Sequence, residues 1–271
     1  MGIFANPLTD LLEYEDFSRD FLKGTDPVGM TGCIDSEKVH FMSTFLGEKK
    51  VQLVVTYNEQ RAREIEEDYK LFCSQVYVIP PRDLIFFSAD LQGNAIIAER
   101  MKAFAALYQN EAKVIITTMD ALMSAAVPFE QLMSHVIKLK EGDELDLEKL
   151  KHDLTVMGYE RVGRVEEPGQ FTVHGGIADV YPLTMEVPVR IELWGDEIDT
   201  IRCFEPQSQR SMDQIECVSV FPAAEVIADD TARRRAVGMI QNELESQLAV
   251  FKKAKEPDKA KRLREETNRI L

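Results

Sequence analysis

Between Pro168 and Ser211 the chain is a series of short strands whose alternation can be followed residue by residue. In Val189-Arg190-Ile191-Glu192-Leu193-Trp194, which ends at Gly195-Asp196, successive side chains fall on opposite faces. Val189, Ile191 and Leu193 make a core face. Arg190, Glu192 and Trp194, the only tryptophan of the chain, make the other. Gln170-Phe171-Thr172-Val173-His174 alternates likewise and sends His174 outward before Gly175-Gly176. Trp and Arg are the residue types most enriched at interface hot spots, since each joins a large rigid surface to a polar handle. Two readings fit this face. It is a sheet on which another protein docks, or it is the solvated side of a small sheet whose end Trp194 covers.

The rest of the chain narrows the choice. Its 271 residues allow two domains, or one large one. The net charge of −15 argues against a duplex-binding surface, because affinity for nucleic acid comes largely from Lys and Arg set against phosphates. Arg233-Arg234-Arg235 and Lys252-Lys253-Ala254-Lys255 are local clusters in Glu- and Gln-rich helical stretches, without interleaved aromatics. No apolar run approaches the roughly 20 residues that span a bilayer, and Met1-Gly2-Ile3-Phe4 has no basic leader, so no membrane partner is expected. The four cysteines, Cys33, Cys73, Cys203 and Cys217, form no Cys-x-x-Cys pair and suit reduced thiols in a cytoplasmic protein. The four histidines, His40, His135, His152 and His174, are dispersed, which predicts no metal site.

Up to about Pro128, apolar strands alternate with amphipathic helices. Val51 to Val55 is a near-continuous apolar run suited to a strand buried on both faces. A helix from Glu59 to Phe72 follows, then Val76 to Ile79, a helix from about Asn94 to Tyr108, and Val114 to Thr118. This spacing predicts a parallel sheet with helical crossovers. From Ser134 the pattern changes to an α+β unit of about 85 residues, ordinary for a small domain. After Pro222 it turns helical again, and the last helix runs to Leu271 without a Gly or Pro exit signal, as expected of a piece of a longer protein. The expected division is therefore 1–134, an α/β domain; 135–222, a strand-rich domain; and 223–271, a helical return to the first.

The first place to look for catalysis is Gly29-Met30-Thr31-Gly32-Cys33-Ile34-Asp35-Ser36, ahead of a helix expected from Val39 to Leu46. It has the outline of a phosphate-binding loop, but that motif needs a second Gly for close backbone approach and a Lys for the β- and γ-phosphates. Ile34 and Asp35 stand at those two positions, and only Ser36 matches. A branched side chain blocks the approach and an acid repels the ligand, so no cofactor and no ATP hydrolysis are expected. A loop that never bound anything predicts the same inactivity.

Gly169-Gln170-Phe171-Thr172-Val173-His174-Gly175-Gly176-Ile177-Ala178-Asp179-Val180-Tyr181-Pro182, Pro188 through Asp199, Ile201-Arg202 and Gln207-Ser208-Gln209-Arg210-Ser211 carry a family resemblance. They resemble the N-terminal region of bacterial transcription-repair coupling factors (Mfd), the part similar to the excision-repair protein UvrB. The resemblance implies a P-loop-like, helicase/UvrB-type parallel-sheet domain with an inserted strand-rich α+β domain. The Ser-Gln-Arg-Ser ending and the degenerate loop favour the coupling factors over UvrB itself. So do the roughly 15 residues between Ile79 and Asn94, too few for a DNA-clamping hairpin. By the same resemblance the strand-rich domain docks UvrA through His174, Arg190 and Trp194, where relatives often have Arg for His174 and Phe for Trp194. The chain would then be a non-catalytic module recruiting UvrA to RNA polymerase stalled at DNA damage. An ATP- and magnesium-dependent motor and the polymerase- and duplex-binding parts would lie elsewhere in the parent protein. The alternatives are a UvrB-like nucleotide-dependent DNA-binding fragment and a domain that only shields its own parent.

Overall fold

A computed structural model describes residues 8, 14–46, 51–82, 91–124, 126–227, 230–253 and 256–270. The chain forms two compact units, Met1–Glu225 and Val226–Leu271.

The first unit opens with α1 (Tyr14–Lys23) and α2 (Asp35–Ser43). Phe17 meets Phe41 edge-on at 4.7 Å between ring centroids, and Phe21 lies 4.7 Å from Phe45. Helix α2 begins four residues before the Val39 start expected from periodicity, because its first turn, Asp35 to Lys38, is entirely polar and carries no apolar marker. A parallel sheet follows in the order β1-β3-β2, from β1 (Gln52–Thr56), β2 (Val76–Ile79) and β3 (Val114–Thr118). Between them run α3 (Glu59–Lys70) and α4 (Leu91–Tyr108), the latter starting three residues ahead of Asn94. Asn58 caps α3 by accepting the Arg61 N–H at 2.8 Å. The helix then lays Ala62, Ile65 and Tyr69, spaced three and four apart, on Val76, Val78, Val114 and Ile116. Helix α4 brings Ala103 and Ala106 to the opposite face, over Ile115, Tyr77 and Ile79.

Strand β1 departs from its expected burial on both faces. Among the described residues it is an edge strand covered on one face only: Val54 packs under α3, but Leu53 is 59% exposed and Val55 40%. The cluster around α4 reaches β2 and β3 and stops there. Of the link between Ile79 and α4, residues 83–90 lie outside the described residues, and the absent hairpin inferred there goes with them.

After the short helices α5 (Met119–Met123) and α6 (Phe129–Met133), the strand-rich part begins with β4 (Ile137–Lys140). It ends with β11 (Cys217–Val220), which pairs antiparallel with β4, so the chain enters and leaves this part at one place. Between them come α7 (Leu147–Val156), β5 (Glu160–Arg161), β6 (Gln170–His174), β7 (Ile177–Val180), β8 (Val189–Trp194), β9 (Glu197–Phe204) and β10 (Ser211–Gln214). Strands β5 to β10 form a six-stranded sheet in the order β10-β9-β8-β7-β6-β5, antiparallel except for β5 beside β6. Asp146 caps α7 by accepting the Glu148 and Lys149 N–H groups at 2.8 and 3.1 Å. Leu150, Leu154 and Met157 then cover one face of the sheet, over Phe171, Val173, Val180, Val189, Ile191, Ile198 and Ile201.

Where this part ends, Glu225 is buried between two arginines. Arg100 of α4 donates Nη2 to it at 3.2 Å and Nη1 to the Pro80 carbonyl, and Arg82 donates Nε at 2.9 Å. Burial alone would raise the Glu225 carboxyl; the hydrogen bonds from Arg100 and Arg82 outweigh it and hold its pKa below the ordinary value.

The second unit contains α8 (Asp230–Lys253) and α9 (Pro257–Ile270). Leu248 and Phe251 of α8 and Ala260 of α9 line a shared cleft. No helix of the described residues is long and apolar enough to cross a membrane.

Candidate functional site

The face of the six-stranded sheet turned away from α7 is ordered by its register, and part of it is buried: Thr172, Asp179 and Phe204 are all enclosed. Thr172, Asp179, Arg190 and Arg202 lie in one row across β6 to β9; His174, Ile177, Glu192 and Thr200 lie in the next. A bulge after Glu192 shifts the pairing to Leu193 with Ile198 and Trp194 with Glu197. Gly195, at φ +67, then turns the chain back in a backbone region where other residues are strained. Trp194 ends on the rim of this hairpin and is 84% exposed.

All three residues singled out for docking therefore stand on one face, but in different states. His174 is exposed, with Nε2 2.8 Å from the Thr172 hydroxyl. It sits in line with Glu192 two strands away, about 10 Å at ordinary strand spacing. Arg190 is already engaged within the chain. Its Nε and Nη2 donate to the two oxygens of Asp179, both at 2.8 Å, and its Nη2 reaches Gln209 Oε1 at 3.5 Å. Its guanidinium carbon lies 4.8 Å from the centre of the Phe204 ring. The hydrogen bond to Asp179 outweighs desolvation and strengthens the guanidinium's hold on its proton. Held this way, Arg190 spends Nε and Nη2 inside the chain, and its side chain stays partly exposed.

Sequence reasoning missed the residues that hold Arg190. Asp179 stands in an apolar stretch, Ile177 to Val180, where alternation places it outward, and an acid there was the available signal. Gln209 gave none. It takes a left-handed backbone, φ +60, and donates Nε2 to the carbonyls of Val165 and Pro206 at 3.1 and 2.7 Å, pinning the loop beside Arg190. Ile177 and Met212 add exposed apolar surface, 40% and 52%.

The loop of Gly29, Gly32, Ile34, Asp35 and Ser36 lies elsewhere. The element before it is helix α1, where a phosphate loop has a strand. At the start of α2, Glu37 accepts the Ile34 N–H at 3.0 Å, and Asp35 accepts Lys38 Nζ at 3.1 Å with Arg61 at 3.6 Å. The hydrogen bond from Lys38, then the charges of Arg61 and Lys38, hold the Asp35 carboxyl below its usual range. A phosphate arriving at this helix end meets two carboxylates where it needs a lysine. No cluster of His, Cys, Asp and Glu suited to a metal occurs among the described residues.

Comparison with known proteins shows what the chain is similar to. Residues 137–225 match the UvrB interaction domain. The chain is 33% identical over 231 residues to a transcription-repair-coupling factor of Staphylococcus haemolyticus, an alignment covering 84% of this chain and 19% of that protein. It is 29% identical over 259 residues to the transcription-repair-coupling factor of Bacillus subtilis, covering 93% and 22%. The chain thus spans about a fifth of the length of these relatives. Over most of its length it is similar to the N-terminal, UvrB-like region of bacterial transcription-repair-coupling factors, and its residues 137–225 match the UvrB interaction domain.

Proposed function

We propose that this chain is a non-catalytic docking module that recruits UvrA through the outer face of its six-stranded sheet. In a longer parent protein it serves to bring UvrA to RNA polymerase stalled at DNA damage. The observation that carries this reading is Trp194, 84% exposed at the tip of the β8–β9 hairpin and on the same face as Arg190. An indole left in water at the end of a hairpin is a ready anchor for an apolar pocket. Arg190 and His174 offer hydrogen-bond donors on the same face. The acidic first turn of α2 favours a protein role over a nucleotide-dependent one, since the chain's one loop of phosphate-binding outline ends on Asp35 and Glu37. The net charge of −15 gives duplex DNA no reason to bind here, and a cytoplasmic setting follows from the same role. Contacts with polymerase and DNA, and an ATP- and magnesium-driven motor, belong in this reading to other parts of the parent.

The test is binding of this chain to purified UvrA, by calorimetry or surface immobilisation. Trp194→Ala is expected to weaken it about tenfold or more, the loss typical of an aromatic hot spot, with the circular dichroism spectrum unchanged. Wild-type affinity in Trp194→Ala, or no binding by the wild type, overturns the reading.

A further inference from the structure

Resting on that docking reading, we infer that Arg202 is a second recognition residue, the seat for a carboxylate side chain of the docked protein. Arg202 faces Arg190 directly across β8 and β9, and their neighbours Ile191 and Ile201, also paired, are fully buried on the opposite side of the sheet. Two guanidiniums therefore stand side by side on the outer face. Like charges directly opposite on paired strands repel, and the chain relieves only one of them. Arg190 has both oxygens of Asp179. Arg202 is half-buried, and its Nε is enclosed without any hydrogen-bond acceptor.

The neighbours of Arg202 are otherwise occupied. Gln214, opposite it on β10, donates its amide to Glu141 at 2.8 Å. Glu192, one row away, accepts the Thr200 hydroxyl at 3.1 Å. Among the described residues Arg202 forms no ion pair with a carboxylate, although the chain as a whole is strongly acidic. A guanidinium with an unmet donor and a like charge beside it gains when it turns outward to an external carboxylate. That carboxylate would also lie beside Arg190, directly across the strand pair. The two arginines form a fork for one acid, with Trp194 further along β8 as the apolar anchor. An Asp or Glu beside an apolar pocket on the partner is the surface this face fits.

The experiment compares Arg202→Leu, Arg202→Lys and Trp194→Ala in the full chain, with purified UvrA as the probe. Arg202→Leu is expected to weaken binding about tenfold and to flatten its dependence on salt, while its melting temperature stays level or rises because a repulsive contact has gone. Arg202→Lys is expected to recover part of the affinity, as a single charge without the planar fork. Unchanged binding by Arg202→Leu, where Trp194→Ala has lost it, overturns the role of Arg202 and leaves the docking reading standing. A melting temperature lowered by several degrees in Arg202→Leu, with affinity kept, makes the residue structural and also overturns the inference. If Trp194→Ala binds normally or the wild type does not bind, the docking reading falls and this inference with it.

Discussion

Arg190 shows how a residue expected to await a partner is first part of the fold. Its side chain is 21% exposed and that of Asp179 8%, so their two-point contact is largely shielded from water. Charged hydrogen bonds of this kind contribute about 1.5–3 kcal/mol. Asp179→Ala is therefore expected to cost about 2 kcal/mol, leaving two guanidiniums with no internal acid. Adding Arg190→Met should give back part of that loss, because the double variant leaves neither charge unpaired. Urea denaturation of the two single variants and the double one checks this; strictly additive losses would show that the pair does not couple. The outward placement of His174, Arg190 and Trp194 was legible in the sequence, because a period of two needs only neighbouring residues. The partner of Arg190 was not. Asp179 sits 11 positions away, and only the register of β7 against β8 brings the two together.

At the scale of elements the same distinction recurs. The alternation of strands and helices from Val51 to Thr118 is plain in the sequence and appears as a parallel sheet. The fate of each strand is less plain, since an apolar run such as Val51 to Val55 carries no mark of whether both faces find cover. Only the order β1-β3-β2 and the reach of α4 leave Leu53 and Val55 bare. This assignment is testable by substitution. Leu53→Ser is expected to change stability by less than about 0.5 kcal/mol, as at an exposed position. Ile116→Ala, on the fully buried β3, is expected to cost about 3 kcal/mol for lost packing and the cavity left behind. Thermal or chemical denaturation of the two variants separates the outcomes. Equal losses would mean that Leu53 is covered after all. The start of α2 was hidden for a related reason: its first turn, Asp35 to Lys38, is held by polar contacts, which hydrophobic periodicity does not register.

At the scale of the whole first unit, the Glu225 cluster ties the end of the strand-rich part to α4 and to the residues after β2 through Arg100, Arg82 and the Pro80 carbonyl. The folded protein holds the Glu225 carboxyl below its ordinary pKa, so the native state binds that proton more weakly than the unfolded chain. The contribution is then fully present above the unfolded value of about 4.3 and is lost as pH falls through the lower folded value. Glu225→Gln keeps the shape and removes the charge. It leaves two guanidiniums against a neutral amide, a loss expected to be about 3 kcal/mol at pH 7. In acid the wild-type carboxyl is itself protonated, and the two proteins should converge. Urea denaturation of both at pH 7 and near pH 3 reads the difference directly. A gap that narrows in acid supports a charged latch between the parts of the unit. A gap of the same size at both values would mean that Glu225 acts through packing alone, and that the docking sheet is held in place without this charge.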